Sequence, residues 1–191
     1  MLLAQPAANL RQQQEAAAAK QREAARAQAG VSGKTDSFFT VPFDAPPTLP
    51  SNPNCAPADR KKVDDLLAKA AQRESLSRDV LNAVVETESG FDSCAISDKG
   101  AQGLMQLMPE VQKEFGVDDP FDAEKNIAAG ASLLKRLLAE HKGDLKLALA
   151  AYNAGSARVA EAKGVPPIAE TRDYVEKILN KVQKPEGKPP P

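Results

Sequence analysis

Carboxylates are the residues most able to carry chemistry in this 191-residue chain, because the other common catalytic types are scarce. The chain holds one histidine, His141, and two cysteines, Cys55 and Cys94. A Ser-His-Asp or Cys-His site would depend on that one histidine, and most zinc sites need more His and Cys ligands. Lysine and arginine number 25 against 26 acidic residues, which lacks the basic excess of nucleic-acid-binding proteins. If the protein is an enzyme, the composition favours carboxylate chemistry.

Glu88 is the carboxylate whose position is most unusual. The sequence predicts a helix over residues 78–88 whose apolar residues follow one stripe: Leu81, Val84 and Val85. At about 100° per residue, Glu88 lies within roughly 20° of Leu81, whereas Glu86 lies about 140° away towards solvent. Burial and the negative end of a helix that stops at Gly90 would both raise the pKa of Glu88 and keep it protonated near neutral pH. The spacing leaves a second interpretation open, in which this helix-end glutamate turns outward and is solvated.

The elements that must position Glu88 are predicted to be helices over residues 59–183. One helix begins near Asp122 and stops at Gly143, and the next runs from Asp144 to Gly155. Apolar residues at helical spacing mark a further helix near the C-terminus: Tyr174, Val175, Ile178, Leu179 and Val182. Residues 90–108 are rich in loop signals and could hold a small hairpin. The predicted fold class is therefore mainly α.

The flanks of this domain have a different composition. Residues 1–30 contain eleven alanines and six glutamines and are interpreted as a partly helical arm, and residues 31–58 as a proline-rich linker. Residues 184–191 are interpreted as a disordered tail. No apolar run approaches the roughly 18 residues of a membrane span, and the first residues lack the basic region of a secretory signal. Either a leader was removed or the protein stays in the cytosol.

Several ordered motifs carry a family resemblance. They are Glu-Ser-Gly-Phe at 88–91, Gly-Ala-Gln-Gly-Leu-Met-Gln-Leu-Met-Pro at 100–109, Asn-Ile-Ala-Ala-Gly at 126–130, Ala-Tyr-Asn-Ala-Gly at 151–155 and Glu-Thr-Arg-Asp-Tyr-Val at 170–175. Together they closely resemble the catalytic domain of the soluble-type lytic transglycosylases, glycoside hydrolase family 23, over about residues 60–182. The resemblance implies a lysozyme-like fold, α+β with minimal β, shared with goose-type lysozymes.

The resemblance also implies an activity. Members of this family cleave the bond between N-acetylmuramic acid and N-acetylglucosamine in peptidoglycan, and Glu88 matches their sole catalytic acid and base. Ordinary glycosidases use two carboxylates, but the lytic mechanism needs one. Glu88 would protonate the leaving oxygen and then deprotonate the muramic C6 hydroxyl, which closes a 1,6-anhydro ring. The family implies no cofactor and no metal.

Seven further residues match positions that bind substrate in the family: Ser97, Gln106, Met108, Tyr152, Asn153, Glu170 and Tyr174. Ser97 would hydrogen-bond the catalytic carboxyl or the acetamido group, and the Tyr152 hydroxyl would steady developing charge. Gln106 and Met108 would line the glycan groove, and Glu170 would meet the peptide stem. For both tyrosines core packing stays an alternative, since each lies on an apolar stripe. For Asn126 two interpretations stay open: a role in the site, or a tie between a helix start and a loop.

Two departures from the family pattern stand out. Cys94 replaces an Asn or similar turn residue, and we predict that it forms a disulfide with Cys55, 39 residues earlier. Such a bridge would contribute about 4 kcal/mol in the chain-entropy model. It also fits a periplasmic or secreted protein, for which the missing signal indicates a truncated or processed start. After Pro109, Val111 and Gln112 replace a small or hydroxylated pair, which could alter helix packing.

Two other functions remain as alternatives at this point. One is a goose-type-lysozyme-like muramidase, which uses the same glutamate with water as nucleophile. The other is a non-catalytic peptidoglycan-binding module of a cell-envelope assembly, and the arm at residues 1–30 could dock such a partner. The sequence predicts glycan strands of peptidoglycan as the main partner and does not predict whether cleavage is internal or from chain ends.

Overall fold

The computed structural model describes residue 52 and residues 54–183. In this part of the chain the elements are seven helices: α1 (Arg60–Glu74), α2 (Arg78–Ser89), α3 (Pro109–Glu114), α4 (Ala123–Glu140), α5 (Leu145–Ala154), α6 (Ser156–Ala162) and α7 (Ala169–Gln183). The predictions for the arm at 1–30, the tail at 184–191 and most of the linker fall outside the described residues.

Aspartate side chains begin three of the helices, as the sequence predicts. Asp59 Oδ1 accepts hydrogen bonds from two amides of the first turn of α1, at 2.9 and 3.2 Å. Asp122 does the same for α4, and Asp144 Oδ1 accepts from the Leu147 amide of α5 at 3.1 Å. These caps satisfy amides that have no partner inside the helix. Gly90 ends α2 with a φ of 59°, in the left-handed region that favours glycine.

The helices pack as a closed ring around one apolar core. Helix α4 packs on α1 and α5, α5 packs on α7, α7 packs on α2, and α2 returns to α1. The core contains apolar side chains from every member of this ring, among them Leu67, Val84, Leu134, Leu149 and Ile178. Because α7 packs against α2, residues far apart in sequence meet at the carboxyl end of α2.

Residues 95–107, here called the bridge loop, lie between α2 and α3. Two isolated antiparallel bridges, Ile96 with Gln102 and Gln102 with Leu107, take the place of the predicted small hairpin. A pair of backbone hydrogen bonds between Gln102 and Leu107, at 3.0 and 3.1 Å, closes the second half of the loop. Short α3 and α6 were not predicted, because six and seven residues are too few to show a helical apolar period.

The predicted disulfide between Cys55 and Cys94 is confirmed, with 5.7 Å between the two Cα atoms. Two hydrogen bonds support it: the Asn52 amide donates to the Cys94 carbonyl, and the Ala58 amide donates to Ser93 Oγ, both at 2.8 Å. The segment before α1 is therefore fastened to the start of the bridge loop. Within the described ranges, no helix has the length and apolar character needed to cross a membrane.

Candidate active site

Glu88 lies in the last turn of α2, half-buried, with its carboxyl turned towards α7. The Tyr174 hydroxyl, on α7, donates a hydrogen bond of 2.7 Å to Glu88 Oε1. This hydrogen bond joins residues 86 positions apart and depends on the packing of α7 against α2. Of the two interpretations that the helical spacing allowed, the inward orientation is the one that the structure shows.

The surroundings of Glu88 shift its proton affinity. Burial, the largest cause, and the negative charge of Glu170 raise the pKa of Glu88, whereas the hydrogen bond from Tyr174 lowers it; together they shift the pKa from 4.5 to about 7. Burial disfavours the charged carboxylate, and the hydroxyl stabilises it. A carboxyl with a pKa near neutrality can donate a proton in one step and accept one in the next.

Because the Tyr174 hydroxyl lowers the pKa of Glu88, removing this hydroxyl has a predictable effect on that pKa. A Tyr174→Phe variant keeps the aromatic ring but loses the donor to the carboxylate, so the pKa of Glu88 is expected to rise by about one unit. Carbon-13 NMR titration of the Glu88 carboxyl measures this directly. Tyr152→Phe serves as the matched control, because the Tyr152 hydroxyl donates elsewhere. An unchanged Glu88 titration in the Tyr174 variant would contradict the assigned contact.

Tyr152 approaches the same place from α5. Its hydroxyl donates to the Met105 carbonyl of the bridge loop at 2.8 Å, and burial together with the charge of Glu88 raises its pKa well above the ordinary value. Tyr152 therefore remains a neutral donor at any physiological pH. In this structure the hydroxyl fixes the loop, and Tyr174 is the tyrosine that contacts the catalytic candidate.

Asn126 anchors the other side of the bridge loop. This fully buried side chain on α4 accepts from the Met105 amide at 2.8 Å and donates to the carbonyls of Gln102 and Pro120 at 3.0 and 2.9 Å. The backbone of Met105 is thus held at its amide by Asn126 and at its carbonyl by Tyr152. Of the interpretations offered for Asn126, its tie between a helix start and a loop is the one observed.

Glycine is required where the bridge loop meets Asn126. Gly103 has a φ of +78°, and a Cβ there would collide with the Pro120 carbonyl oxygen and the Asn126 amide group. Gln106, which has a φ of +47°, donates from Nε2 to the carbonyls of Gly103 and Ala95 at 2.8 and 3.2 Å. The Gln106 side chain therefore braces the loop from inside, and its predicted contact with the glycan stays a prediction.

Gln112 is a site residue that the sequence did not reveal. It appeared there only as a departure from the family pattern, yet its buried Nε2 donates to the Leu107 carbonyl at 2.7 Å and to Gln102 Oε1 at 3.0 Å. Two side-chain amides, Asn126 and Gln112, thus hold the bridge loop from two helices. Its departure from the family pattern was the available signal.

Comparisons with known proteins agree with this geometry. The family model described as Transglycosylase SLT domain matches residues 65–175. The chain belongs to this family. A membrane-bound lytic murein transglycosylase F from Desulfosudis oleivorans is 40% identical over 108 residues, which cover 52% of this chain and 23% of the relative. A transglycosylase of Enterobacteria phage PRD1 is 33% identical over 118 residues, or 62% of this chain and 42% of the relative.

A solved structure gives the same result for the fold of the SLT transglycosylase domain. An inactive glutamate-to-glutamine mutant of lytic transglycosylase Slt from Pseudomonas aeruginosa has a TM-score of 0.57 and 32% identity, covering 62% of this chain and 23% of that one. The predicted fold class, mainly α and lysozyme-like with almost no strand, is confirmed. The matched region is less than half the length of each relative described here.

Three further predicted residues of the SLT transglycosylase domain, Ser97, Asn153 and Met108, form no hydrogen bond with Glu88. Ser97 Oγ accepts from the Ala101 amide at 2.9 Å and shapes the first turn of the bridge loop. Asn153 Oδ1 accepts from Thr171 Oγ1 at 2.8 Å and joins α5 to α7. Met108, directly before α3, is 39% exposed, and its predicted role in a glycan groove stays a prediction.

The other carboxylates near Glu88 have partners of their own. Glu86 forms an ion pair with Lys181 at 2.6 Å, and Asp92 accepts from the Cys94 amide at 2.8 Å. Glu170 forms an ion pair with Lys99 at 3.0 Å. Among the described residues, no group of three His, Cys, Asp or Glu side chains is arranged to hold a metal ion.

Proposed function

We propose that the SLT transglycosylase domain is a peptidoglycan lytic transglycosylase with Glu88 as its single catalytic residue. The observation that carries the proposal is the half-buried Glu88 carboxyl, with a pKa of about 7, held by the Tyr174 hydroxyl in a domain of this family. The relatives are named as murein transglycosylases, and one solved relative is an inactive glutamate-to-glutamine mutant. These names support a glutamate-dependent activity on peptidoglycan here.

In the first step protonated Glu88 donates its proton to the oxygen that links N-acetylmuramic acid to N-acetylglucosamine. The bond between that oxygen and C1 of the muramic residue breaks, and the substrate's own N-acetyl group stabilises the cationic C1 centre. Burial favours this step, because it keeps Glu88 protonated near neutral pH.

In the second step Glu88, now a carboxylate, removes the proton from the C6 hydroxyl of the same muramic residue. The C6 oxygen attacks C1 and closes the 1,6-anhydro ring, so the proton returns to Glu88 and no water is consumed. The nucleophile belongs to the bound sugar, and this intramolecular attack has a high effective molarity. The hydrogen bond from Tyr174 stabilises the carboxylate between the two steps.

The partners of the neighbouring carboxylates support a mechanism with one glutamate. A second carboxylate acting as base or nucleophile would have to face the sugar opposite Glu88. The Glu86 carboxylate pairs with Lys181, and the Asp92 carboxylate accepts a hydrogen bond from the Cys94 amide. Both carboxylates are thus bound by groups of the protein itself. Glu170, whose charge acts on Glu88, is paired with Lys99 and largely exposed.

We further propose that the protein acts in the periplasm or outside the cell. Peptidoglycan is found there, and the disulfide between Cys55 and Cys94 is a type of bond that persists in oxidising compartments. Capture of anionic peptidoglycan would rest on contacts in the groove, because the net charge of the chain is −1.

Mass spectrometry of the products from purified sacculi tests the proposed function. We expect muropeptides with 1,6-anhydro ends, which are lighter by one water molecule than the products of hydrolysis. Reducing ends in place of anhydro ends would identify a goose-type-lysozyme-like muramidase. Sacculi bound but not cleaved would identify a non-catalytic binding module. Either result would overturn the transglycosylase proposal.

A further inference from the structure

An ion pair connects the bridge loop with α7, the helix that carries Tyr174. Lys99 lies in the turn of the bridge loop between Ser97 and Gly100, and Glu170 lies in the first turn of α7. The Lys99 Nζ donates to both carboxylate oxygens of Glu170 at 3.0 Å. The Lys99 and Glu170 side chains are 73% and 64% exposed, so the pair lies at the protein surface.

The contacts of this ion pair belong to a closed path that passes through Glu88. On one side Glu88 accepts from Tyr174, and Glu170 precedes Tyr174 by one turn of α7, about 6 Å along the helix. On the other side Ser89, next to Glu88, donates from Oγ to the Leu104 carbonyl of the bridge loop at 2.9 Å. Lys99 on that loop and Glu170 on α7 then complete the path.

We propose that the Lys99–Glu170 ion pair is a strap across the cleft beside Glu88, and that these two residues determine where on a glycan strand the enzyme binds. This inference rests on the proposed function. A strand lying along the cleft must pass the strap. While the pair is closed, a strand can pass only lengthwise, starting from its end; when the pair opens, the middle of a strand can enter from the side.

The strap is weak enough for substrate to open it. Exposed ion pairs contribute little to stability because water screens them and both long side chains lose freedom when they pair. The charge of Glu170 is felt at Glu88, which indicates that the strap lies close to the reacting carboxyl. The hydrogen bond between Tyr174 and Glu88 lies deeper, so α7 can stay docked while the Lys99 side chain swings away.

Products from sacculi give the first test. Lys99→Met removes the strap, and we expect the ratio of internal to terminal cleavage to rise about two- to fivefold, the range given by the energy of an exposed pair. The double variant Lys99→Glu with Glu170→Lys restores the pair in reverse and should return the ratio to that of the wild type. Lys125→Met is the matched control, since it breaks another exposed pair, with Asp118. An unchanged ratio in Lys99→Met, or no restoration in the double variant, would overturn the strap.

A binding measurement tests the strap without cleavage. Chitohexaose is a neutral oligomer, so Lys99 cannot attract it by charge, and Glu88→Gln protein binds it without reaction. With the strap removed in the Glu88→Gln background, the association rate constant should rise about two- to fivefold. A slower association would show that Lys99 is a direct sugar contact, which would contradict the strap. If the wild-type protein does not cleave sacculi, the proposed function is wrong, but the association rates still show whether the strap limits binding. If no variant binds chitohexaose, both the proposed function and the strap are wrong.

Discussion

Replacing Glu88 with glutamine is expected to lower the rate of glycan cleavage by at least 10²-fold, within the 10²–10⁴-fold range of a general acid. Glutamine has nearly the same shape and can still accept the hydrogen bond from Tyr174, but it cannot donate a proton to a leaving oxygen or accept one from a hydroxyl. The release of soluble muropeptides from sacculi measures the effect. Cleavage at the wild-type rate would contradict the proposed mechanism.

The Glu88 variant should also be more stable than the wild type at alkaline pH. The pKa of Glu88 is 4.5 as an ordinary carboxyl and about 7 in the fold, so folding favours the protonated form. Below pH 4.5 the carboxyl is protonated in both states and the two proteins should be similarly stable. As pH rises from 4.5 to 7 the wild type progressively loses up to about 3 kcal/mol of stability that the Gln variant keeps, and the loss is complete above pH 7. Thermal unfolding at pH 4 and pH 8 measures this, and it separates loss of chemistry from misfolding.

Glu86→Gln is the matched control for these experiments. Glu86 lies on the same helix, two residues before Glu88, but its carboxylate pairs with Lys181. Its replacement should leave cleavage within a few fold of the wild-type rate, because surface ion pairs contribute about 1 kcal/mol or less. Equal losses in both variants would indicate a general disturbance of α2 instead of a catalytic role for Glu88.

Removing the disulfide is expected to lower the melting temperature strongly. A Cys55→Ala, Cys94→Ala variant opens a link across 39 residues, which in the chain-entropy model costs about 4 kcal/mol. For a domain of this size that corresponds to a fall of roughly 10–15 °C, measured by calorimetry. Alanine at position 94 also suits its fully buried site.

Reduction provides the control for this experiment. Adding a reductant to the wild type should reproduce the lower melting temperature, and the same reductant should leave the double alanine variant unchanged. A double variant as stable as the oxidised wild type would show that the hydrogen bonds around residues 52–58 fix this segment by themselves.

The parts of the fold that follow from local rules could be predicted from the sequence. Asp122 and Asp144 mark helix starts because their side chains satisfy free amides within three residues. Helical geometry placed Glu88, seven positions after Leu81, on the same face as Leu81, but it left open whether the side chain turns inward or outward. The pairing of Cys55 with Cys94 followed from there being no other cysteine in the chain.

The contacts between distant elements could not be predicted in this way. The hydrogen bond from Tyr174 to Glu88 depends on how α7 docks against α2, and no period within either helix specifies it. The motif positions of both tyrosines indicated the cleft, but only the assembled helices show that Tyr152 donates to Met105 instead. The role of Gln112 could not be predicted for the same reason. Its side chain donates to the Leu107 carbonyl and to the side-chain oxygen of Gln102, and both belong to a loop.

The hydrogen bond between α7 and the Glu88 carboxyl makes proton binding and helix docking thermodynamically linked. If the docking of α7 changes the proton affinity of Glu88, protonation of Glu88 must change the docking of α7 by the same free energy. The charge of Glu170 on the same helix favours protonated Glu88. Because a hydroxyl binds a carboxylate more strongly than a neutral acid, only the contact from Tyr174 is strongest when Glu88 has given up its proton. In the proposed reaction that is the moment after the glycosidic bond has broken. The Tyr174 contact would then strengthen while the intermediate exists and weaken again once the anhydro ring has formed.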